Sequence, residues 1–378
     1  PEQAATLHRL LGWRPGSGGL RHGPDHPLAL DVLVVDEASM VDLALMTRLL
    51  GALPAGARLI LLGDKDQLAS VEAGAVLADI CGPVPGFRQP FCRRLERLLD
   101  QPLAAGEGDR PLADCVVLLR HSYRFGADSG IGRLARRVNA GDGAGALGVL
   151  EEGFADLDWR SLELRDYPPR SLDKPVIEGF GAYLQLVAQG AEPQLIFRAF
   201  EDFRVLCALR QGPAGVNALN ESIQSWLADQ GLIRLRATVL SGWYPGRPVM
   251  ITRNDYNLRL YNGDIGLCLE TQGQLRVCFL TSQGELRHFP PARLPEHETV
   301  YAMTVHKSQG SEFGRVLLLL PPEPARIMTR ELLYTGITRA RDHLQLWGPE
   351  GVLRFAAGRR LHRSSGLGER LWGREGRD

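Results

Sequence analysis

Lysine is almost absent. The 378 residues include 44 Lys or Arg, but only Lys65, Lys174 and Lys307 are lysines and the rest are arginine. A phosphate-binding P-loop, G-x-x-x-x-G-K-[ST], needs a lysine to reach the β- and γ-phosphates. Lys65 lies in GDKDQ, Lys174 in SLDKP and Lys307 in VHKSQ, so the sequence holds no complete P-loop. Paired cysteine motifs are missing too. Cys81, Cys92, Cys115, Cys207, Cys268 and Cys278 form no C-x-x-C, which points to free thiols in a reducing cytoplasm rather than zinc, an iron–sulfur cluster or a disulfide frame. Long apolar runs are absent. Val316 to Leu320 is about the longest, far short of the roughly 18 residues of a membrane span, so no membrane association is expected. Pro1 opens a polar stretch with neither Met nor a signal-peptide pattern, and the start reads as a cut inside a longer protein.

Net charge is missing as well, since 44 basic residues balance 44 acidic ones. That argues against a wholesale polyanion binder. The arginines are nevertheless clustered: Arg120, Arg124, Arg133, Arg136 and Arg137 form one group, and Arg88, Arg93, Arg94 and Arg97 another. Gly351 to Asp378 carries seven arginines against three acids. Such runs are usually solvated surface and support nucleic-acid binding only weakly by themselves.

What is present is ample core material, 44% hydrophobic residues, enough for two or three domains. Leu30 to Val35 is a β-rich apolar run closed by Asp36-Glu37. Leu59 to Leu62 ends at Gly63-Asp64, and Val116 to Leu119 ends at Arg120. All three read as buried parallel strands, with a helix at Leu43 to Leu50 between the first two. Strands alternating with helices imply a parallel sheet whose ligands sit beyond the strands' carboxyl ends. A second α/β set follows, with a helix at Ile131 to Val138, a strand at Phe203 to Leu209 and a helix at Ala214 to Leu227. Residues 165–175 are proline-broken and read as loop. From Trp243 to Pro295 short alternating strands (Pro248 to Thr252, Ile265 to Leu269, Leu275 to Leu280, Leu286 to Phe289) with Asn262-Gly263 and Gln283-Gly284 turn signals predict a small antiparallel barrel. The α/β pattern then resumes with Val300 to Thr304, Val316 to Leu320, a helix from Thr329 and a strand at Leu344 to Trp347. After Gly358 the Gly/Arg/Ser-rich tail is expected to fray.

Four polar clusters could carry chemistry. Asp36-Glu37 after a hydrophobic strand has the form of a Walker B pair, in which the aspartate holds Mg²⁺ and the glutamate polarises water. Acidic pairs in this position also serve as helix caps or solvated loops. Gln67, beside Gly63-Asp64, could orient water at a γ-phosphate or be an ordinary loop glutamine. Arg124 in SYRF and Arg339 in GITRARD could contact the same phosphate through their planar guanidinium groups. Finally, Thr304 to Phe313 (TVHKSQGSEF) is polar, follows a strand and contains a glycine that permits close backbone approach. It suits a single-strand groove, which needs donors to phosphate and platforms for bases, or else it is a plain strand–helix turn.

Taken in order, these elements resemble the motifs of the superfamily 1 helicases, and closely those of the RecD-type alpha subunits of exodeoxyribonuclease V. TLHRLLG (Thr6 to Gly12) resembles motif Ia, DVLVVDEASMVD (Asp31 to Asp42) motif II, and LLGDKDQLASVEAGAVLADIC (Leu61 to Cys81) motif III. HSYRFGADSGIG (His121 to Gly132) resembles motif IV, AMTVHKSQGSEF (Ala302 to Phe313) motif V, and LLYTGITRARDHLQL (Leu332 to Leu346) motif VI. RPVMITRND and LYNGDIG (Arg247 to Asp255, Leu260 to Gly266) resemble the family's SH3-like insertion. The likeness runs from Thr6 to about Leu346.

The resemblance implies an α/β fold with two RecA-like, P-loop-NTPase-type parallel-sheet domains, the first truncated, and an inserted small SH3-like β-barrel. The implied bounds are 1–125 for the first motor domain, with a short hairpin at about 13–28; 126–242 and 299–350 for the second; 243–298 for the barrel; and 351–378 for an Arg-rich tail. It implies ATP and Mg²⁺ as cofactors, with Asp36 binding Mg²⁺, Glu37 activating water, Gln67 sensing the γ-phosphate, and Arg124 and Arg339 contacting it. Gly310 and Glu312 would approach the nucleotide. Thr6, His8, Thr304, His306, Lys307, Ser308 and Gln309 would line the single-strand path. The hairpin would act as a strand-separating pin or be a mere loop. The implied activity is 5′→3′ translocation on single-stranded DNA, with ATP between the two motor domains. The implied setting is a cytoplasmic heterotrimer with RecB and RecC that processes duplex DNA ends in break repair and recombination.

The family's Walker A strand would lie upstream of Thr6, so the isolated segment is expected to bind ATP poorly and its first domain to be weakly stable, because backbone donors would lose partners. Two alternatives are a stand-alone RecD-like helicase and a non-catalytic fragment that binds DNA or a partner. A nuclease at Asp36-Glu37 is disfavoured, since a two-metal site wants further carboxylates nearby.

Overall fold

The computed structural model describes residues 4–13, 19–70, 74–82, 86–103, 105–106, 112–163, 167–235, 242–281, 283–361 and 365–372. The chain divides into two units, Pro1–His121 with Leu361–Asp378, and Ser122–Arg360. The first therefore takes up a stretch that follows the second in sequence.

Unit 1 starts with a single turn, α1 (Leu7–Leu10), followed by β1 (Val32–Val35), α2 (Leu43–Ala52), β2 (Arg58–Leu61), α3 (Val76–Cys81) and α4 (Gln89–Leu99). Asp42 starts α2 by accepting the Leu45 amide on its carboxylate at 2.8 Å, a side-chain cap for an otherwise unpaired donor. β1 and β2 pair in parallel, from Val32 beside Arg58 to Val35 beside Leu61. The alternation of strand side chains sends Val35 inward against Ala38, Met46, Leu49 and Ala52, which with Leu11, Leu28, Val76 and Leu77 form the core. The opposite face is open, with Val32, Val34 and Ile60 all exposed. The expected hairpin at about 13–28 includes residues 14–18, which lie outside the described residues.

The third strand expected in this unit does not form. Val116 to Leu119 follows a short 3₁₀ turn as irregular backbone, and Val117 and Leu119 are strongly exposed. An apolar β-branched run becomes a strand only where a neighbour completes its ladder of hydrogen bonds, and β1 and β2 pair with each other instead.

Unit 2 holds α5 (Gly130–Asn139), α6 (Gly143–Glu151), β3 (Leu157–Ser161), α7 (Asp173–Ala188), α8 (Pro193–Asp202), β4 (Phe203–Cys207) and α9 (Val216–Asp229). Then come β5 (Pro248–Ile251), β6 (Ile265–Thr271), β7 (Gln274–Leu280), β8 (Leu286–Phe289) and β9 (His297–Thr299). It finishes with β10 (Ala302–Thr304), β11 (Phe313–Leu319), α10 (Arg330–Thr338), β12 (Ala340–Gly348) and α11 (Glu350–Gly358). Five strands make a parallel sheet in the order β10-β4-β11-β12-β3, the α/β class read from the sequence. All five residues of β4 are buried, as suits a strand covered on both faces. Part of the stretch read as loop is helical, because α7 begins at Asp173 and tolerates Pro175 in its first turn. Phe180 at the middle of α7 packs against Phe200, Phe203, Tyr183 and Tyr301.

β5 to β9 form a separate five-stranded antiparallel sheet in the order β8-β7-β6-β5-β9. It has its own core of Val249, Ile251, Leu260, Cys268, Val277, Phe279 and Phe289. This is the region expected to be a barrel. Among the described residues no pairing joins β8 to β9.

The stretch after Gly358 expected to fray is helical in part, following α11, while residues 362–364 and 373–378 lie outside the described residues. α11 buries Val352, Leu353, Ala356 and Ala357, a helical stripe. A last short helix, α12 (Leu367–Trp372), belongs to unit 1 and packs on α3. There the Trp372 indole donates to the Asp79 carbonyl at 2.6 Å, and the Ser365 hydroxyl donates to the Asp79 carboxylate at 2.6 Å. Among the described residues no helix is long and apolar enough to cross a membrane.

Candidate functional site

In unit 1 the parallel register brings the carboxyl ends of β1 and β2 side by side. The Leu62 amide donates to Val35 and the Ala38 amide to Leu62, both at 2.8 Å, which ties the two polar turns together. Gly63 allows this approach, since a Cβ there would lie 3.1 Å from the Ala38 nitrogen and 3.2 Å from that of Ser39. Glu37 sits in the left-handed region at φ 52, ψ 39, a conformation costing about 1–2 kcal/mol for a residue with a Cβ. Asp36 is exposed at the strand end, and one of its oxygens accepts the Glu37 amide at 2.8 Å. Asp64 organises the second turn: it accepts the Asp66 amide at 3.0 Å and the Gln67 side-chain amide at 3.3 Å. Sequence reasoning named Asp64 only as part of that turn, yet it is the group that orients Gln67.

Among the described residues no group of three or more His, Cys, Asp or Glu gathers as a metal cage. Mg²⁺ does not require one, because it is commonly held by one or two carboxylates while phosphate and water complete its octahedron. An exposed aspartate at a strand end, with a second carboxylate next to it, fits that donor set.

In unit 2 the second candidate group converges on one loop, Gly310 to Glu312. Gly310 takes φ +74, a backbone conformation that favours glycine. Arg124 donates to the Thr338 carbonyl at 2.9 Å and forms an ion pair with Glu312. Arg339 is 3% exposed and donates to the Thr335 carbonyl at 3.3 Å and to the Ser311 carbonyl at 3.0 Å. The Phe313 amide returns a bond to Arg339 at 2.9 Å. Four residues singled out separately in the sequence, Arg124, Gly310, Glu312 and Arg339, are therefore neighbours.

The residues expected on a single-strand path are less uniform. Thr6 caps α1, its hydroxyl accepting the Arg9 amide at 3.4 Å, and His8 is exposed on that turn. Thr304 ends β10 and its hydroxyl accepts the Lys307 amide at 3.3 Å. His306 and Gln309 are half-buried. The Lys307 ammonium is paired with Glu298 of β9 at 2.7 Å. Ser308 differs from the others: it is fully buried and donates its hydroxyl to the Val305 carbonyl at 2.8 Å, so it shapes the turn from inside. A buried hydroxyl whose proton is given within the turn has no donor left for a strand outside it.

Three supporting residues escaped the sequence reading. Asn220 on α9 is buried; its side chain accepts the Ala302 amide at 2.9 Å and donates to the Ala302 carbonyl at 3.0 Å. β10 is an edge strand, and Asn220 supplies the ladder partner that its outer side lacks. Arg204 is buried between the rings of Phe200 and Phe313 and donates to the Val300 carbonyl at 2.8 Å. Burial pushes its pKa down to about 10. Tyr301 completes this layer, sharing a 3.1 Å hydrogen bond with the Tyr244 hydroxyl. Burial holds both phenols well above their usual range. Their only sequence signal is polar character inside otherwise apolar stretches.

Known proteins resemble the chain in the same places. Residues 1–73 match the model of an AAA domain, and residues 299–347 that of the UvrD-like helicase C-terminal domain. The RecBCD enzyme subunit RecD of Mycolicibacterium smegmatis is 40% identical over 369 residues, covering 97% of this chain and 59% of the relative. The ATP-dependent RecD2 DNA helicase of Deinococcus radiodurans is 32% identical, covering 97% of this chain and 43% of the relative. The chain thus spans about three fifths of the RecD subunit and less than half of RecD2. A solved Pif1 helicase from Bacteroides, in complex with ADP-AlF3 and ssDNA, superposes with a TM-score of 0.44 at 15% identity over 90% of this chain and 78% of that one, a likeness too slight to argue from. By sequence, along nearly all of its length, the chain is similar to the RecD subunits, and it matches an AAA domain near its start and a UvrD-like helicase C-terminal domain further on.

Proposed function

We propose that the chain is the motor region of an ATP-dependent DNA helicase, a RecD-type alpha subunit acting with RecB and RecC on duplex DNA ends in cytoplasmic break repair and recombination. The single observation that supports this reading most is the convergence of Arg124, Arg339 and Glu312 on the Gly310 loop. Two guanidinium groups beside a positive-φ glycine suit the charge that develops on a transferred phosphoryl group. In this reading Asp36 would hold Mg²⁺, which when bound neutralises phosphate charge. Glu37 accepts the proton of the attacking water, and Gln67, oriented by Asp64, holds that water in place. Arg339 trades a backbone carbonyl for a γ-phosphate oxygen, while Arg124 does so at the expense of its pairing with Glu312. Release of the phosphate restores both internal bonds, so the Gly310 loop registers whether phosphate is bound. Thr304, His306, Lys307 and Gln309 in unit 2, and Thr6 and His8 in unit 1, contact the backbone of single-stranded DNA, with 5′→3′ polarity inferred from the family alone.

The domain bounds follow the same reading, with 1–125 and 126–242 plus 299–350 as motor domains and 243–298 as an SH3-like insertion. The similarity to RecD2 supports a second reading, a helicase that works without RecB and RecC. DNA-stimulated ATPase of the full-length protein, with and without Glu37→Gln, tests the mechanism. A loss of about 10²–10⁴-fold in turnover is expected from removing a general base, and unchanged turnover overturns the assignment. Co-purification with RecB and RecC separates the two readings.

A further inference from the structure

The loop between β5 and β6 has features that neither nucleotide handling nor packing accounts for. Residues 252–264 carry two tyrosines, Tyr256 and Tyr261, that are 41% and 44% exposed. Their rings face each other edge-on with centroids 6.1 Å apart. The loop is firmly built. Asp255 and Leu260 exchange backbone hydrogen bonds of 2.7 and 3.0 Å, and the Asn262 amide donates to the Asn254 side chain at 2.7 Å. The two loop carboxylates are engaged inwards, Asp255 accepting the Leu258 amide at 2.9 Å and Asp264 the Tyr261 amide at 2.7 Å. Arg253 and Arg259 project from the same loop as exposed cations, Arg253 lying 3.4 Å from the equally exposed Glu296.

Position supplies the second argument. β5 and β9 pair so that Met250 lies beside Glu298 and Ile251 beside His297. The tyrosine loop leaves the sheet immediately after Ile251. Lys307, in the motif expected to meet the single strand, reaches across to Glu298 at 2.7 Å, and Arg210 approaches the same carboxylate at 3.5 Å. The partner of Lys307 is thus the β9 residue in register with Met250, one position before the loop leaves β5. Aromatic faces held rigidly beside cations make a platform for unpaired bases, because every base has a π-face and the phosphates between bases seek positive charge. A duplex offers no free faces to stack.

We infer that the Tyr256–Tyr261 loop is a base-stacking platform that extends the single-stranded DNA contact from the Thr304–Gln309 segment onto the antiparallel sheet. This rests on the proposed helicase reading. The test uses the full-length protein and a fluorescent oligo-dT, with affinity read by anisotropy in the absence of nucleotide. Tyr256→Ala with Tyr261→Ala is expected to weaken binding roughly tenfold or more, since stacking is worth that much per base. Tyr256→Phe with Tyr261→Phe should bind like the unaltered protein, because the ring is retained. Arg253→Gln should flatten the dependence of affinity on salt by about one phosphate contact. Bromodeoxyuridine placed along the oligonucleotide should photocrosslink to the loop. If the double alanine variant binds oligo-dT as tightly as the unaltered protein while Lys307→Ala weakens it, the platform is refuted and the helicase reading stands. If unaltered protein shows neither oligo-dT binding nor DNA-stimulated ATPase, the helicase reading itself fails. Equal weakening in the phenylalanine and alanine variants, both folded by thermal melting, also overturns the stacking role.

Discussion

β1 (VLVV) and β4 (FRVLC) are both short apolar strands in parallel sheets, yet their surroundings differ sharply. Val32 and Val34 of β1 are 50% and 53% exposed, whereas every residue of β4 is buried. β4 has a strand on each side and helices to cover it, while the sheet of β1 contains two strands among the described residues. Burial is thus a property of the neighbours a strand acquires, and hydrophobicity only permits it. The same contrast separates the two candidate groups. The acidic group in unit 1 stands at the ends of two strands, and the arginine group in unit 2 shares its unit with the buried Phe200, Arg204 and Phe313.

Substitutions at three positions can break or sharpen this comparison. Phe180→Ala should have the largest effect, lowering the stability of unit 2 by about 3–5 kcal/mol, as expected for a fully buried ring whose loss leaves a cavity; chemical denaturation followed by near-ultraviolet circular dichroism measures it. Asn220→Ala comes next. It leaves the Ala302 amide and carbonyl without their side-chain partner, at a cost of about 1–3 kcal/mol for each buried group left unpaired, and should raise the DNA concentration needed for half-maximal ATPase. Asn220→Asp keeps the acceptor for the Ala302 amide and should recover part of that loss. Val34→Thr should be the smallest, within about 0.5 kcal/mol, because the side chain already stands in water. A loss for Val34→Thr close to that for Phe180→Ala would mean that the outer face of β1 is covered in solution.

The sequence was most informative where apolar runs end in chemistry. β1, β2, β4 and β11 were visible from their runs, with bounds shifted by a few residues, and α2 from its spacing. Val116 to Leu119 misled because its composition matches a strand but a ladder partner is a tertiary fact. β3 (LDWRS) and β9 (HET) were invisible because edge strands carry little apolar pattern, and α7 was masked by Pro175. In the site, Gly63, Gly310 and the arginines could be named in advance. Ser308 could not be placed, since a polar turn has no period to say which hydroxyl points inward. Asn220 reads as an ordinary helix residue until β10 proves to be an edge. The tyrosine loop lay within a turn signal, Asn262-Gly263, that described the chain's reversal and not what the reversal displays.

The return of α12 to α3 makes the first unit discontinuous, with the whole of the second threaded between its parts. Trp372 meets Asp79 across 293 positions of sequence. On a ribosome, the indole that packs over Gly82 is made only after every strand of the parallel and antiparallel sheets has emerged. Unit 2 can therefore assemble while unit 1 is still unfinished, and its prior folding shortens the loop that α12 must close, lowering an entropic cost that grows with the logarithm of loop length. The order of assembly is thus the reverse of the order of synthesis: the half that is translated first is sealed last.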